Sequence, residues 1–503
     1  MTKPAYILAH DLGTTGNKAN LFDADGQAVR SAFAGYATRY PRAGWAEQDP
    51  ADWWRAVVET TRALLAEPGI APQEIAAVSF SAQMMAGLPV DAAGQPLRPA
   101  IIWADQRATR EADLLREACG AEQLYRRTGH RISAAYTGPK MLWIREHEPE
   151  LFARTRIFLQ VKDYVVYRLT GQFATDYSDA SGSNLFNLDQ RAWDEEILAA
   201  VGLARGLLPE AHPSHHVAGQ VTLEAAVATG LLAGTPVVIG GGDGACATVG
   251  AGVVGEGDAY NYIGSSSWMA VASPRPLYDP QQRIVNFAHL DPQQVCPMGT
   301  MQAAGGAYQW LSGWIARGEE NPARYREMDR WAAQTPPGAE GLLFLPYLMG
   351  ERSPYWNPEA RGAFVGLSMR HGRGHAARAA MEGVAYNLRM ILDALTEQGV
   401  APHAMRLIGG GAKSTVWRQI LADVLGLPIL RPQLLAEATA LGAAIAGGVG
   451  VGLWPDYGVA RRLVAAAEAE RPDPAARETY NARYPLFQEV YRALEPLYGR
   501  LGA

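Results

Sequence analysis

Read as a pattern of apolar and polar positions, the chain alternates short β-branched runs with glycine-rich turns and with stretches of helical spacing. Pro236 to Ile239 predicts a buried strand, Gly240 to Gly242 a turn, and the small residues from Ala245 onward a closely packed helix. That order delivers an aspartate, Asp243, to a helix start. A carboxylate in this place either caps the helix or faces a ligand that the bare glycine turn allows to come close.

Along the chain, Tyr6 to Ala9 predicts a strand, Asp11 to Gly16 (DLGTTG) a tight turn, and Lys18 to Phe22 the returning strand, with a further turn at Asp25-Gly26. The tip of this hairpin is rich in hydroxyls and backbone amides. It can hold phosphate oxygens, with Asp11 placed for a magnesium ion or its waters, although an ordinary solvent-exposed hairpin has the same local pattern. Asp49-Pro50 opens a helix in which Trp53, Val57, Thr61 and Leu64 recur at helical spacing. Ile75 to Phe80 and Ala100 to Trp103 read as short strands. Their ends, Ser81 to Met85 and Ala104 to Arg107, are expected to face the crevice where α/β folds bind ligands. Lys140 to Trp143 begins a helix, and Ile157 to Val161 is a strand running into a helix at Lys162-Asp163.

After Asp258 the theme returns, because AYNYIGSSSWMAVA is again strand, Gly-Ser-Ser turn and strand. Two such hairpins suggest two related halves facing one ligand. FLPYLMGERSPYWNP (344 to 358) reads as an aromatic-rich loop, and Ala376 through Leu395 as a long helix. Arg406 to Ile408 is a strand entering Gly409 to Ala412. Glycines there let a flat adenine ring lie against the backbone, or form a plain strand-to-helix turn. Residues 456 to 503 are polar and helical in pattern.

With 503 residues, 48% of them hydrophobic, the chain can build two or three domains with sizeable cores. Its 45 Lys and Arg against 51 Asp and Glu give a net charge of −6, with no basic run to follow a nucleic-acid backbone. Cys119, Cys246 and Cys296 have neither disulfide-framework nor zinc-ligand spacing and suit a reducing compartment. Ala5 to Ala9 is too short for a signal-peptide core, so a cytoplasmic location is expected. The chargeless stretch Ala438 to Pro455 is broken by glycines and reads as an internal helix, not a membrane span.

Several motifs fail on inspection. Gly-Ala-Lys-Ser at 411 to 414 has Ala412 where a P-loop needs glycine before the lysine, and Leu407 at the first glycine position. Gly240-x-Gly242-x-x-Ala245 fits a relaxed dinucleotide fingerprint, but the acidic Asp258 precedes the next strand, where it cannot hold a ribose. Neither His-Glu-x-x-His nor Gly-x-Ser-x-Gly occurs, which removes the sequence basis for zinc hydrolysis and triad-type acyl transfer. Phosphoryl transfer is the chemistry best supported.

Taken in order, DLGTTGNK (11 to 18), WAEQDPADWW (45 to 54), IIWADQR (101 to 107), GPKMLW (138 to 143), GGGDGA (240 to 245), the Gly-Ser-Ser hairpin (264 to 266), PYLMGERSP (346 to 354), RGAFVGL (361 to 367) and IGGGAKSTVWRQILADVLGLPI (408 to 429) resemble the FGGY carbohydrate kinases. The likeness runs over nearly the whole chain and, within that family, is strongest to xylulose kinases. It implies an α/β fold of two actin-like, ribonuclease-H-like ATPase domains around a central cleft. Residues 1–250 would form the sugar-binding N-terminal domain, 251–455 the ATP-binding C-terminal domain, and 456–503 a helical extension. The implied activity is ATP-dependent phosphorylation of a small sugar or polyol, with ATP and Mg²⁺, either D-xylulose to D-xylulose 5-phosphate or a related reaction. An actin-like ATPase with a filament or chaperone role is the alternative. The implied partner is the small-molecule substrate, with neither nucleic acid nor membrane, and a homodimer is left open.

Residue by residue, the resemblance makes Asp243 the catalytic base and Asp11 the magnesium-linked aspartate. Gly13, Thr14, Thr15 and Lys18 form the first phosphate hairpin, Gly264 and Ser265, with Gly305, the second phosphate site, and Gly410, Gly411 and Ala412 the adenosine turn. Met84, Met85, Trp103, Ala104, Asp243 and Gly244 fall where the family touches the sugar. A xylulose kinase is expected to carry His at Met85, Asn at Ala104 and Asn at Gly244. All three changes remove hydrogen-bonding groups, and Ala135 is a smaller departure in the first family signature.

Overall fold

The computed structural model describes residues 6–316, 322–432, 437–464 and 466–501. In the first unit β1 (Tyr6–Leu12) and β2 (Gly16–Phe22) form the expected antiparallel hairpin, and β3 (Ala28–Gly35) continues it. β4 (Ile75–Ala82) runs parallel on the other side of β1. β5 (Val217–Gln220), β6 (Pro236–Val238) and the two-residue β7 (Gly241–Gly242) complete a sheet of order β5-β6-β4-β1-β2-β3, with β7 also on β4. β1 and β4 are buried on both faces, and the two-residue period decides which core each side chain joins. Leu8, Val78 and Phe80 pack with Trp53, Val57 and Leu64 of the helix Pro50–Ala66. Ile7, Ala9 and Ala77 pack on the opposite face with the helices Asp243–Gly250 and Ala438–Gly450.

The second unit repeats this plan. β8 (Ala259–Ile263) pairs antiparallel with β9 (Ser267–Val271), which pairs antiparallel with β11 (Val295–Met301), beside β10 (Val285–Ala288). β12 (Met405–Ile408) runs parallel to β8 on its other side, followed by β13 (Ile429–Pro432) and β14 (Ala466–Glu470). The run β6-β4-β1-β2-β3 therefore corresponds strand for strand to β13-β12-β8-β9-β11, the expected pair of ribonuclease-H-like units.

Several local expectations change. Asp11 lies within β1 and not in the turn, because the ladder to Lys18 of β2 continues to the end of the strand. Only Ala100–Ile101 is extended, and it pairs with Glu47–Gln48 outside the main sheet. The chain turns immediately afterwards, Asp105 Oδ2 accepting from the amide of Ala46 at 2.6 Å. Ile157–Leu159 is likewise outside the main sheet, paired with Leu88–Val90. The helix around Lys140 starts earlier, at Thr137.

Two segments cross the expected boundaries. The sequence groups Ala438–Gly450 with the second unit, yet this helix lies on the first sheet, against β1 and β4. A Cβ on Gly250 would stand 1.6 Å from the carbonyl oxygen of Ala438, and one on Gly442 1.9 Å from that of Cys246, so small residues are what let the two helices touch. Residues 456 to 503 are not helical throughout. Ala466–Glu470 joins β13 at the sheet edge, where free backbone groups outweigh the helical preference of Ala and Glu. The final helix, Pro474–Leu501, buries Tyr480, Phe487 and Tyr491 in the second core. Among the described residues no helix is long and apolar enough to cross a membrane.

Candidate active site

Three strand-to-turn passages converge between the sheets on a cleft of about 360 Å³. The first leads from β6 to Asp243. Gly240 has φ of 71°, and a Cβ there would stand 1.9 Å from the carbonyl oxygen of Phe80, so glycine alone lets the chain press onto β4 and turn. Gly242 is the residue before the helix and Asp243 its first residue. The Asp243 side chain does not cap the helix in the usual way; its Oδ1 accepts from the next amide, Gly244, at 2.7 Å. Its carboxylate opens on the cleft, where solvent reaches it, while protein crowds its other sides. That loss of solvation, with the charge of Asp11 added, raises it to about 7 against the single opposing Gly244 hydrogen bond. Asp11, near the end of β1, is raised to about 6 by burial, opposed by the nearby Ser81 hydroxyl and by the charge of Lys18. Two carboxylates in one cleft, both raised and one of them partly by the other's charge, form a site arranged for protons and cations.

The first hairpin tip is tied down from behind. Tyr36 donates to the carbonyl of Gly13 at 2.5 Å, Gln83 to the same oxygen at 3.3 Å, and Gln48 to the carbonyl of Thr14 at 2.8 Å. Gln48 in turn accepts from Trp53 and Gln83. With its carbonyls drawn back, the tip presents less negative oxygen to an anion. Lys18 forms an ion pair with Glu437 at 3.2 Å, which links the hairpin to the start of the helix Ala438–Gly450.

The second tip is held by backbone alone. The amides of Gly305 and Gly306 donate to the carbonyls of Gly264 and Ser265, both at 2.9 Å, so the hairpin caps the start of the helix Gly305–Ile315. Gly305 is thus a packing residue against the tip: its Cβ would meet the Gly264 oxygen at 2.3 Å. The third passage leaves β12 at Gly409, φ 85°, beneath the carbonyl of Ile263. Gly410 reaches the cleft, whereas Gly411 and Ala412 are buried, Ala412 with its carbonyl held by Arg418 at 2.7 Å. Ala412 therefore seats the turn from below.

Of the residues expected from sequence, Asp11, Gly13, Asp243, Gly409 and Gly410 meet on the cleft surface. Sequence reading missed Tyr262, Trp268 and Lys413, which line it too. A signal existed for the aromatic pair. They flank the Gly-Ser-Ser tip as direct cross-strand partners, so they share a face, and their rings stack at 4.1 Å. Lys413 was visible in the failed P-loop motif.

Of the expected sugar-side residues, Asp243 lines the cleft, Trp103 and Ala104 stand in the first unit away from its lining, and Met84, Met85 and Gly244 lie by the turn. Met84 is buried under it, so close that a Cβ on Gly242 would stand 2.5 Å from its side chain. Met85 has φ of 66°, unusual for a long side chain, and its carbonyl accepts from the buried Lys140 at 2.6 Å. Lys140 also donates to the carbonyl of Ala135, and burial lowers its ammonium to about 7. Trp103 donates from its indole to Thr14 Oγ1 at 3.0 Å, joining the sugar side to the first hairpin. Ala104 packs at the edge of the first core. Gly244 has room, since a Cβ there would be 3.8 Å from its nearest neighbour, Met298.

Comparison with known proteins agrees with this geometry. The N-terminal domain model of the FGGY family of carbohydrate kinases matches residues 6–250, and its C-terminal domain model residues 259–451. The chain is 32% identical to a xylulose kinase of Bacillus subtilis, covering 97% of this chain and 96% of that one. It is 33% identical to a gluconokinase of Bacillus licheniformis, covering 99% and 98%. A gluconate kinase structure from Lactobacillus acidophilus superposes with a TM-score of 0.93 at 29% identity, over 99% of both chains. With two units of one topology, a paired-carboxylate cleft between them and both halves of the family model matched, this chain belongs to the FGGY family of carbohydrate kinases.

Proposed function

We propose that the protein transfers the γ-phosphoryl group of ATP to a hydroxyl of a small sugar or polyol, D-xylulose or a related pentulose being the first reading. The observation that carries this is the meeting of Asp11, Asp243, Lys413 and the glycine turns of both units in one cleft. Asp243, raised to about 7, is tuned to take the proton of the attacking hydroxyl near neutral pH. Phosphoryl transfer passes through a loose transition state, so the remaining work is alignment and charge neutralisation. The two hairpin tips and Gly410 would hold the phosphates and adenosine, and Met84, Met85 and Trp103 the sugar.

The residues also fit a magnesium ion carried with the nucleotide. Among the described residues no three His, Cys, Asp or Glu side chains gather into a protein cage. Mg²⁺ bound to ATP needs only one or two carboxylates besides phosphate oxygens and water. Asp11 would hold it, and once bound it would neutralise charge on the phosphates.

Gluconate is the second reading of the acceptor, supported by gluconokinase relatives as similar in sequence as the xylulose kinases. The deciding experiment measures coupled ADP release from ATP with D-xylulose, gluconate, other ketopentoses, aldoses and polyols. ADP release that depends on one acceptor class is expected. ADP release indifferent to every acceptor would overturn the kinase reading in favour of an ATPase.

A further inference from the structure

Behind the Asp243 turn lies a buried charge network that touches nothing in the cleft. Lys162 Nζ stands 2.8 Å from Asp163, 2.9 Å from Asp176 and 2.9 Å from Asp179, and all four side chains are fully buried. One lysine cannot neutralise three carboxylates. Burial holds Asp179 well above the ordinary carboxylate range despite Lys162. Asp176 is the member that reaches outward: its Oδ2 accepts from the hydroxyls of Ser178 at 2.5 Å and Ser214 at 2.8 Å. Ser178 Oγ then accepts the amide proton of Gly242 at 2.9 Å.

We propose that Ser178, fixed by Asp176 and Lys162, is a positioning residue that sets the direction of the Asp243 carboxylate. A hydroxyl carries one proton and two lone pairs. With its proton committed to Asp176, the Ser178 oxygen is locked as an acceptor toward the one amide that precedes Asp243. Gly242 has no side chain to cap the helix, so besides the pairing of β7 with β4 this bond ties down the entry to its first turn. The backbone also rests directly on the hydroxyl, since a Cβ on Gly241 would stand 2.9 Å from Ser178 Oγ. A buried ion network stabilises a fold no better than apolar residues of the same volume. Its use here is the fixed geometry it gives to one turn.

The inference rests on Asp243 as the base, and two variants separate the claims. With ATP and the best acceptor of the panel, Ser178→Ala is expected to lower kcat about 10- to 100-fold, the loss expected for small misplacement of a reacting group. Both KM values and the melting temperature should stay near those of the parent. A merely structural role would move KM and stability along with kcat, and that result overturns the proposal. If Asp243→Ala itself turns over normally, the base assignment fails first; if it is inactive while Ser178→Ala keeps the parental kcat, only the positioning role is lost. Should Ser178→Ala not fold, Ser214→Ala loosens Asp176 by its hydroxyl alone and keeps the backbone bond from the Gly240 amide to the Ser214 carbonyl. It is expected to lower kcat several-fold at unchanged KM, and a parental kcat there overturns the relay.

Discussion

The turn that carries Asp243 and the segment that carries Met84 and Met85 are in contact, yet they are built on opposite principles. At the turn, backbone groups are engaged one by one: the Gly242 amide by Ser178, the Gly244 amide by Asp243 itself, and the hydroxyl behind them by a buried aspartate. At the methionines the side chains are apolar, and the polar control comes from Lys140, which grips the Met85 carbonyl and not a ligand-facing group. On the proposed reading the rigid side holds the base. The apolar side holds one of the three departures from the expected xylulose kinase pattern, Met85, so the difference would separate reaction class from acceptor choice.

The strongest way to break the comparison is to remove the base. Asp243→Ala should leave ATP binding nearly intact while lowering turnover by about 10²- to 10⁴-fold, the usual cost of a lost acid–base group. Nucleotide titration and coupled ADP release measure the two effects. Near-normal turnover of the folded variant would end the assignment.

The next effect sharpens the apolar side. An unpaired buried hydroxyl costs about 1 to 3 kcal/mol, so xylulose should be a poorer substrate here than for a typical xylulose kinase. Introducing Met85→His, Ala104→Asn and Gly244→Asn together should raise xylulose kcat/KM by about tenfold or more on the same arithmetic. Gly244 has space for a Cβ, and histidine tolerates the left-handed backbone at position 85 better than methionine does. If the parent already prefers D-xylulose over every other acceptor, water bridges have replaced the missing contacts.

A smaller effect concerns pH. The rate should fall below about pH 7 as Asp243 takes up its proton, and Asp11→Asn should move that limb to lower pH by removing the neighbouring charge. Stability follows the reverse sign. A carboxylate raised from 3.8 to about 7 binds its proton more tightly folded than unfolded, so the fold loses stability as pH rises through that window. Asp243→Asn should therefore raise the melting temperature at pH 8 more than at pH 4. Equal shifts at both would show that the carboxylate carries no such strain.

The smallest signal is in shape. Phosphate-binding pieces stand on both units, and the γ-phosphate must be kept from water, so sugar and nucleotide together should close the cleft. Small-angle scattering with acceptor and a non-hydrolysable ATP analogue should give a smaller radius of gyration than the free protein. An unchanged profile would mean that the cleft is preformed.

Much of this was legible in one dimension because local chemistry dictated it. The two hairpins, the helix after Asp49-Pro50 and the strand–glycine–aspartate passage formed close to where the pattern placed them, although Asp11 and Gly241–Gly242 are strand and not turn. Less legible was anything that depends on a partner remote in sequence. Ala466–Glu470 looks helical until β13 offers it an edge, and Ala438–Gly450 belongs to the first sheet although its neighbours in sequence serve the second.

For the site, the sequence by itself determined which residues could do the chemistry: Asp11 and Asp243 at the ends of apolar runs, and glycines where a ligand must approach backbone. Short-range order suffices for that, since a strand end and a turn are set by a few consecutive residues. Only the tertiary structure decided what those residues became. Raising Asp243 to about 7 requires the crowding of protein around it and the charge of Asp11, far away in sequence. Committing Lys18 to Glu437, bringing Tyr262, Trp268 and Lys413 into the cleft, and placing Lys162 behind the turn each required two distant segments to meet. Electrostatic environment and hydrogen-bond partnership are properties of three-dimensional neighbours, and the spacing of residues along a chain does not contain them.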